Sequence, residues 1–561
     1  MEYYIYGAGN NLQSVLEQTN YYLDIEGIID NNDEKINTVV QNLCVQSADY
    51  FLKNIFDKEN HKIIVSVTQP IAQKEIQDDL KRRGLKKGCN YYMASDFCRF
   101  DCEQIPGAVQ VMQETPEGYY ARKSCDPNSY LVKSSTGRLF RIFKQCETDR
   151  IQEIYIKCKQ NNMFGQYIVN SWYPDDIHCF GDSLVLEHEY IDPITYCFEW
   201  SPTVYEEYVK FMFDFVNRLS ESGLKLADPH GLNATIHEGK FVFLDYGAID
   251  EGQVYAREIV QLLETLVYPL ILMKKGQIER AYLYLEEHEI TMCYKDICGY
   301  LCEEEKKIVK EILKGLIGIT SNKDVKYVVD EIKGFINHFG KVKEQCAWGD
   351  YQDDEWDRSS DPNRWTTKMK NVVNMIRKVK PMSIIDIAGN QGWYGSYCRE
   401  IVNKVIVVDM DMNALDRLWE RIKENNMQNV TPVKMSICAP SLGRHYDGLI
   451  DGNTIQPLRE SGCNRVKCDM AIALAIVHHL VFREHLSFEE VVLLLMSYCK
   501  QYLIVEFVEQ TDYYISNFKK QGYEWYTKNN FESILLNYFD VLQQCESSPE
   551  ETRTLYLCKK R

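Results

Sequence analysis

Asp386 closes a short apolar run in "MSIIDIAGNQGWYG", and Asp409 closes the next, "NKVIVVDMD", 23 residues later. Ala388, Gly389, Asn390 and Gly392 form a turn of small residues just after the first acid. Small residues let the backbone-hugging part of a ligand cross such a turn, and an acid one strand further on is placed to accept hydrogen bonds from ribose hydroxyls. A plainer role is also open to Asp386, capping the helix that follows. His478 and His479 stand at the end of a later apolar run, "CDMAIALAIVHHL", where an imidazole has a pKa suited to general-base work on a hydroxyl. Read as strand residues they point to opposite faces, so at most one faces a substrate. The alternative is a strand-end pair satisfied by backbone. A third group is Asp228, Asn233 five residues on and Asp245 twelve beyond that, in "LADPHGLNATIHEGKFVFLDYG". Phosphoryl transfer needs a carboxylate that orients the nucleophile and ligands that gather Mg²⁺ against phosphates, and these residue types supply both.

The elements that must position the first two groups lie in residues 346–561. Apolar runs at "SIID", "KVIVVD", "TPVKMSI", "CDMAIALAIVHHL" and "YLIVEFVE" alternate with helical patterns, which predicts a parallel sheet. Ligands of such sheets sit outside the carboxyl ends of the strands, where Asp386, Asp409, the His pair and Glu506 are expected; Glu506 also reads as a solvated strand end. In this order the motifs resemble class I S-adenosylmethionine-dependent methyltransferases, over about residues 366–561. The family's acidic-x-Gly-x-Gly-x-Gly motif falls on Asp386, Ala388, Asn390 and Gly392, so two of its three glycines are replaced. Its second-strand acid is Asp409, and the acid often found after the third strand is Ser436 here. "ALAIVHHL", "VEFVE" and the closing "ETRTLYL" resemble a bacterial subgroup in which a kinase-like domain precedes the methyltransferase. The resemblance implies S-adenosylmethionine as cofactor, held by Asp386, Ala388, Gly389, Asn390, Gly392 and Asp409. Alignment of nucleophile, methyl and sulfur then does most of the chemical work.

Residues 106–345 begin with strand-like pieces, "SYLVKSS", "RLFRIFK" and "SLVLEHEYI", and continue in long helical patterns, which predicts a two-lobed α+β unit. The Asp228, Asn233 and Asp245 spacing resembles the catalytic loop and metal-binding turn of protein kinases. That resemblance makes Asp228 the orienting acid and Asn233 and Asp245 the Mg²⁺ ligands. The usual His two residues before the acid is Leu226. The kinase strand lysine falls at Arg141, an ATP-binding candidate that shares a face with Leu139 and Phe143, while Lys144 points the other way. Gly137 stands alone where a glycine-rich loop is expected. An inactive kinase-like scaffold is the other reading of this segment. The charged stretch "WGDYQDDEWDRSSDPNRW", 348–365, reads as a linker or access loop.

Residues 1–105 open with "YYIYGAGNNLQSVLE", a strand, a Gly turn and a helix. Gly7 and Gly9 fit a dinucleotide fingerprint whose third glycine is replaced by Leu12, and Asp30 follows Gly7 by 23 residues. The pattern resembles the small Rossmann-like domains at the front of many bacterial glycan-modifying enzymes; ligand binding and a purely structural module both remain open. Across the 561 residues the net charge is −18, which argues against a nucleic-acid surface. The chain opens directly on a strand and has no run of 18 apolar residues, so neither a signal peptide nor a membrane span is expected. Its 20 cysteines are scattered, without C-x-x-C; the closest pairs, Cys98 with Cys102 and Cys298 with Cys302, lack a matching second pair for zinc. This usage predicts a cytoplasmic protein with reduced thiols.

The expected architecture is therefore multidomain α/β: a Rossmann-like module (1–105), a kinase-like α+β domain (106–345) and a class I methyltransferase sheet (346–561). The expected function is methyl transfer from S-adenosylmethionine to a small-molecule or glycan acceptor in surface-polysaccharide or secondary metabolism. Two alternatives stand beside it. One is a bifunctional enzyme that phosphorylates a sugar with ATP and Mg²⁺ and then methylates it, as bacterial O-antigen chain-terminating enzymes do with the two domains in reverse order. The other is a non-catalytic assembly protein whose domains only bind ligands.

Overall fold

The structure, a computed structural model, describes residues 2–9, 12, 15–16, 25–40, 43–67, 69–87, 90–93, 129–133, 138–143, 145–174, 184–229, 231–286, 292–317, 319–342, 348–442, 461–515, 518, 521–548 and 551–561. Cys98, Cys102, Gly137 and Lys144 lie outside the described residues. Among the described residues two compact units emerge: those within 2–165 and 169–190 form one, and those within 166–168, 191–442 and 461–561 form the other.

In the first unit β1 (Glu2–Tyr6), β2 (Ile25–Asp30), β3 (Val39–Val40), β4 (Leu43–Ser47), β5 (His61–Val65) and β6 (Tyr91–Met93) make one sheet in the order β3-β4-β2-β1-β5-β6. All its pairings are parallel except β3 with β4. The turn after β1 is tied to the acid ending β2: the Ala8 N–H donates to Asp30 Oδ2 (2.5 Å) and the Asn32 N–H to Oδ1 (2.8 Å). A second, antiparallel sheet runs β7-β8-β10-β9, from β7 (Ser129–Lys133), β8 (Leu139–Phe143), β9 (Ser171–Trp172) and β10 (Leu184–His188).

The second unit begins with the helix Pro202–Glu221, whose apolar face from Val204 to Leu219 is buried. Two short antiparallel pairs follow: β11 (Leu224–Leu226) with β14 (Ile249–Glu251), and β12 (Ala234–His237) with β13 (Lys240–Phe243). The helical pattern over 256–275 forms as expected, as Ala256–Leu262 and Tyr268–Lys274 joined by a π-helical turn at Leu263–Val267. Last comes a seven-stranded sheet of β15 (Ser383–Ile387), β16 (Lys404–Asp409), β17 (Val430–Lys434), β18 (Cys468–Ala473), β19 (Cys499–Val508), β20 (Phe539–Glu546) and β21 (Arg553–Lys560). Its order is β17-β16-β15-β18-β19-β21-β20, parallel through β19 and antiparallel in the terminal hairpin. Continuous Val/Ile runs form the inner strands because both faces are covered by helices. Strand order reverses between β15 and β18, and the crevice beyond the carboxyl ends there is where such sheets receive ligands.

Two expectations change. The run "CDMAIALAIVHHL" is not one strand: β18 stops at Ala473, Ala475 takes a left-handed conformation (φ 51°), and His478 and His479 lie in the helix Val477–Phe482. Neighbours on a helix do not oppose each other, and the two rings lie 4.4 Å apart, so the opposite-face argument falls. Glu506 is not a solvated strand end. It lies inside β19, fully buried, ion-paired to Lys368 at 2.8 Å, with the Ser547 hydroxyl on its other oxygen.

A buried ion pair fixes the helical half of the second unit to its sheet. Arg465, beside β18, donates to both carboxylate oxygens of Glu199 and to the Ile194 carbonyl (2.6 Å), while the Ser441 hydroxyl also bonds Glu199. Burial raises the Glu199 pKa, but Arg465 outweighs it and holds the carboxyl below the usual range. Glu199→Ala leaves a buried guanidinium uncompensated and is expected to lower unfolding free energy by about 3–5 kcal/mol, read from denaturant midpoints, with Glu199→Gln less damaging.

The turn after β15 carries backbone strain. Ala388, Asn390 and Gly392 have φ of 50°, 53° and 67°. Thus the three positions where the family motif has glycine are all left-handed, and two of them here hold residues with a Cβ. A left-handed non-glycine residue costs about 1–2 kcal/mol, partly offset by its stiffer unfolded chain. Ala388→Gly is therefore expected to raise the thermal midpoint, by about 0.5–1 kcal/mol of stability.

Candidate functional site

Asp386 sits within β15, 2% exposed, and its Oδ2 accepts the N–H of Gly395 (3.1 Å) in the first turn of the helix Trp393–Tyr397. The capping role open to a lone Asp is thus realised, although the N-cap residue itself is Gly392. Burial pushes the Asp386 pKa up to about 7; the Gly395 N–H opposes this and Asp409 reinforces it. Asp409 ends β16 and receives the Asn390 N–H on Oδ2 (2.7 Å) and the Asp411 N–H on Oδ1 (2.8 Å). Its pKa is also raised, by burial against those two donors. Ala388, Gly389, Asn390 and Gly392 line the turn between the acids. A Cβ on Gly389 would fall 2.8 Å from Asp386 Cγ and 2.9 Å from Val407, so smallness there serves the return of the loop onto its own sheet.

The charged stretch 348–365 folds over this turn. The Trp348 carbonyl accepts from Asn390 Nδ2 (2.7 Å), and Gln352 Oε1 accepts from the buried Trp393 N–H (3.0 Å). Gln391 Nε2 donates to the Gly349 carbonyl (3.0 Å) and to Asp353 (2.7 Å). Asp353 is held in turn by two bonds from Arg417 (2.7 and 2.6 Å).

His478 is buried and His479 half-buried; the Trp348 and His479 rings meet edge-on at 6.4 Å. Burial pushes the His478 pKa down to about 3, helped by His479, and burial and Arg483 push His479 to about 4. Both are therefore neutral at ordinary pH. Nearby, the Lys368 ammonium lies 5.8 Å from the Tyr394 ring centre, and Arg553 pairs with Asp512 (2.8 and 3.2 Å). Asn390 Oδ1, Tyr394 Oη and His478 Nδ1 are buried with no hydrogen-bond partner. Ser436, in place of the third-strand acid, accepts the Ala439 N–H (3.3 Å). Gln352, Lys368, Tyr394, Asp512 and Arg553 escape sequence reasoning. Only Lys368 left a trace, standing four and seven residues before Val372 and Met375 on the apolar stripe of the helix Thr367–Val379.

The second constellation forms one loop cluster. Asn233 Nδ2 donates to the Asp228 carbonyl (3.2 Å), the Leu244 N–H donates to the Asn233 carbonyl (2.7 Å), and Asp245 Oδ1 accepts the Gly247 N–H (3.1 Å). Pairing of β11 with β14 and of β12 with β13 fixes both ends of the loop. Gln261 reaches the Asp228 carboxylate at 3.5 Å. Arg141 belongs to the other unit, on β8, where it is buried, bonds the Ser129 hydroxyl (3.2 Å) and lies 5.5 Å from the Phe143 ring centre. No disulfide is seen among the described residues, and no described helix is long and apolar enough to cross a membrane.

No protein-family profile matches the chain. It is 22% identical over 403 residues to nodulation protein NoeA of Rhizobium meliloti (strain 1021), covering 66% of this chain and 81% of that protein. Among solved structures it is similar to a SAM-dependent methyltransferase from Aquifex aeolicus, at 15% identity and a TM-score of 0.24, over 37% of this chain and 97% of that one. It is also similar to the bifunctional kinase-methyltransferase WbdD, at 15% identity and a TM-score of 0.23, over 34% of this chain and 38% of that one.

Proposed function

We propose that the chain transfers a methyl group from S-adenosylmethionine to a small-molecule or glycan acceptor. The observation that carries this reading is the pair of buried carboxylates at the switch point of the seven-stranded sheet, both with raised pKa values. A buried carboxylate with too few donors calls for a cation or for hydroxyls. The cofactor offers an ammonium, a sulfonium and two ribose hydroxyls, which match Asp386 and the remaining lone pairs of Asp409. The unpartnered Asn390 Oδ1, Tyr394 Oη and His478 Nδ1 point the same way, since each orphaned buried polar atom costs about 1–3 kcal/mol.

When bound, the cofactor supplies a methyl group on a sulfonium that is already a good leaving group. The residues of the chain then bind and align: Asp409 orients the ribose, Asp386 supplies counter-charge, and the 348–365 strap limits water. With pKa values near 3 and 4, His478 and His479 are weak bases before ligands bind. In this reading one of the two orients an acceptor hydroxyl by hydrogen bonding and receives its single proton as the methyl transfers.

Calorimetry with S-adenosylmethionine tests the proposal. Binding needs ionised Asp386, so affinity is expected to rise about tenfold per pH unit up to about 7 and to level above it. His478 and His479 stay neutral above pH of about 5 and add nothing to that slope. Asp386→Asn is expected to bind more weakly at pH above 7 and to lose the part of the pH dependence that centres near 7. Absence of binding at every pH overturns the reading.

A second activity is favoured by the way one loop cluster gathers Asp228, Asn233 and Asp245. In that reading Asp228 orients the hydroxyl to be phosphorylated, and Asn233 and Asp245 hold Mg²⁺. Thermal stabilisation by ATP is then expected to require Mg²⁺, and Asp245→Ala to abolish that requirement. An unchanged midpoint at millimolar nucleotide leaves the cluster a scaffold.

A further inference from the structure

A cavity of about 500 Å³ opens on the second unit, away from the two acids. Tyr397, Arg399 and Glu400 line it from the turn that leads into β16, and Arg377, Trp356 and Arg421 complete its wall. It therefore lies at the edge where β16 begins, whereas Asp386 and Asp409 mark the edge where β15 and β16 end. The volume falls within the range of small-molecule sites.

The charge of this wall is at odds with the chain as a whole. The protein carries a net charge of −18, yet three guanidiniums from three different elements meet here. Among the described residues, no carboxylate pairs with Arg377. Arg399 has only Glu400, at 3.8 Å and itself largely exposed. Arg421 has Asp353, also at 3.8 Å. Two donors at the site are buried without a partner, Arg421 Nε and Trp356 Nε1, and the Arg421 guanidinium lies over the Trp356 ring at 4.5 Å. Other Arg421 bonds are few: Nη2 reaches Gln391 Oε1 (3.0 Å). Burial pulls its pKa down against the pull of Asp353.

One guanidinium without a carboxylate partner among the described residues and two whose carboxylates stand 3.8 Å away line this cavity, and their forked donors match an anion with several terminal oxygens. A carboxylate has two oxygens and one charge, which leaves most of these donors unused. A phosphate has three terminal oxygens and close to two charges. Trp356 and Tyr397 also line the cavity and offer aromatic surface to the rest of such a molecule. We propose that this cavity binds a phosphorylated small molecule through Arg377, Arg399 and Arg421, with Trp356 and Tyr397 flanking the rest of it.

The test is calorimetric titration of the full chain with pyrophosphate, glucose 1-phosphate and ADP. Binding of any of them at submillimolar concentration is expected, with Arg377→Ala and Arg399→Ala each weakening it about tenfold and the double variant about a hundredfold. Stronger binding of glucose 1-phosphate or ADP than of pyrophosphate marks the rest of the molecule as part of what is recognised. Neither arginine touches Asp386 or Asp409, so the affinity for S-adenosylmethionine is expected to stay at its wild-type value in both variants. Arg377→Glu, at an exposed side chain, gives the same loss without relying on a truncation near the core. No binding of the three ligands at millimolar concentration, or unchanged pyrophosphate affinity in the double variant, overturns the proposal.

Discussion

A peptide N–H turned back onto the acid of the neighbouring strand is the interaction on which the candidate site depends. Asn390 donates to Asp409, and that bond sets where the loop after β15 crosses the sheet. Asp411 donates to the other oxygen, so one carboxylate joins the ends of two strands. In the first unit Asp30 does the same between Ala8 and Asn32. The geometry follows from one need: an open loop at a parallel sheet edge has unpaired N–H groups, and a strand-end acid satisfies them. Ligand recognition at such an acid uses the lone pairs that the loop leaves over.

The rest of the site is held from outside the sheet. The strap 348–365 meets the loop through the side-chain amides of Asn390, Gln391 and Gln352, so its position depends on residues the loop itself presents. Lys368 and Glu506 carry a buried ion pair from a helix to β19 across 138 residues of sequence. Glu199 and Arg465 do likewise between the helical half and β18. Buried pairs of this kind are poor sources of net stability but costly to break one partner at a time, so they fix relative positions within the unit.

What the sequence disclosed and what it hid follow the same division. Asp386 and Asp409 were legible because a parallel strand is an unbroken apolar run, and an acid at its end stands out. The order of the strands and the αβ alternation were legible for the same reason. His478 and His479 were misplaced because "ALAIVHHL" carries strand and helix through one apolar stretch with no Gly or Pro between them. Only the left-handed Ala475 marks the turn, and Ala gives no warning of it. Glu506 was misjudged because its partner lies far off in the chain. The strap looked like a linker because charge usually signals solvent, whereas here Asp353 and Gln352 face other polar groups.

Asp386 sets folding and binding against each other. A carboxyl raised from 3.8 to about 7 favours the folded state in mild acid, and that contribution drains away as pH climbs from about 4 to about 7. Over the same interval the site gains the negative charge a cationic ligand requires. This one carboxyl thus contributes most to the fold where it carries least charge, and a cationic partner would take over the proton's part in making its buried oxygen tolerable.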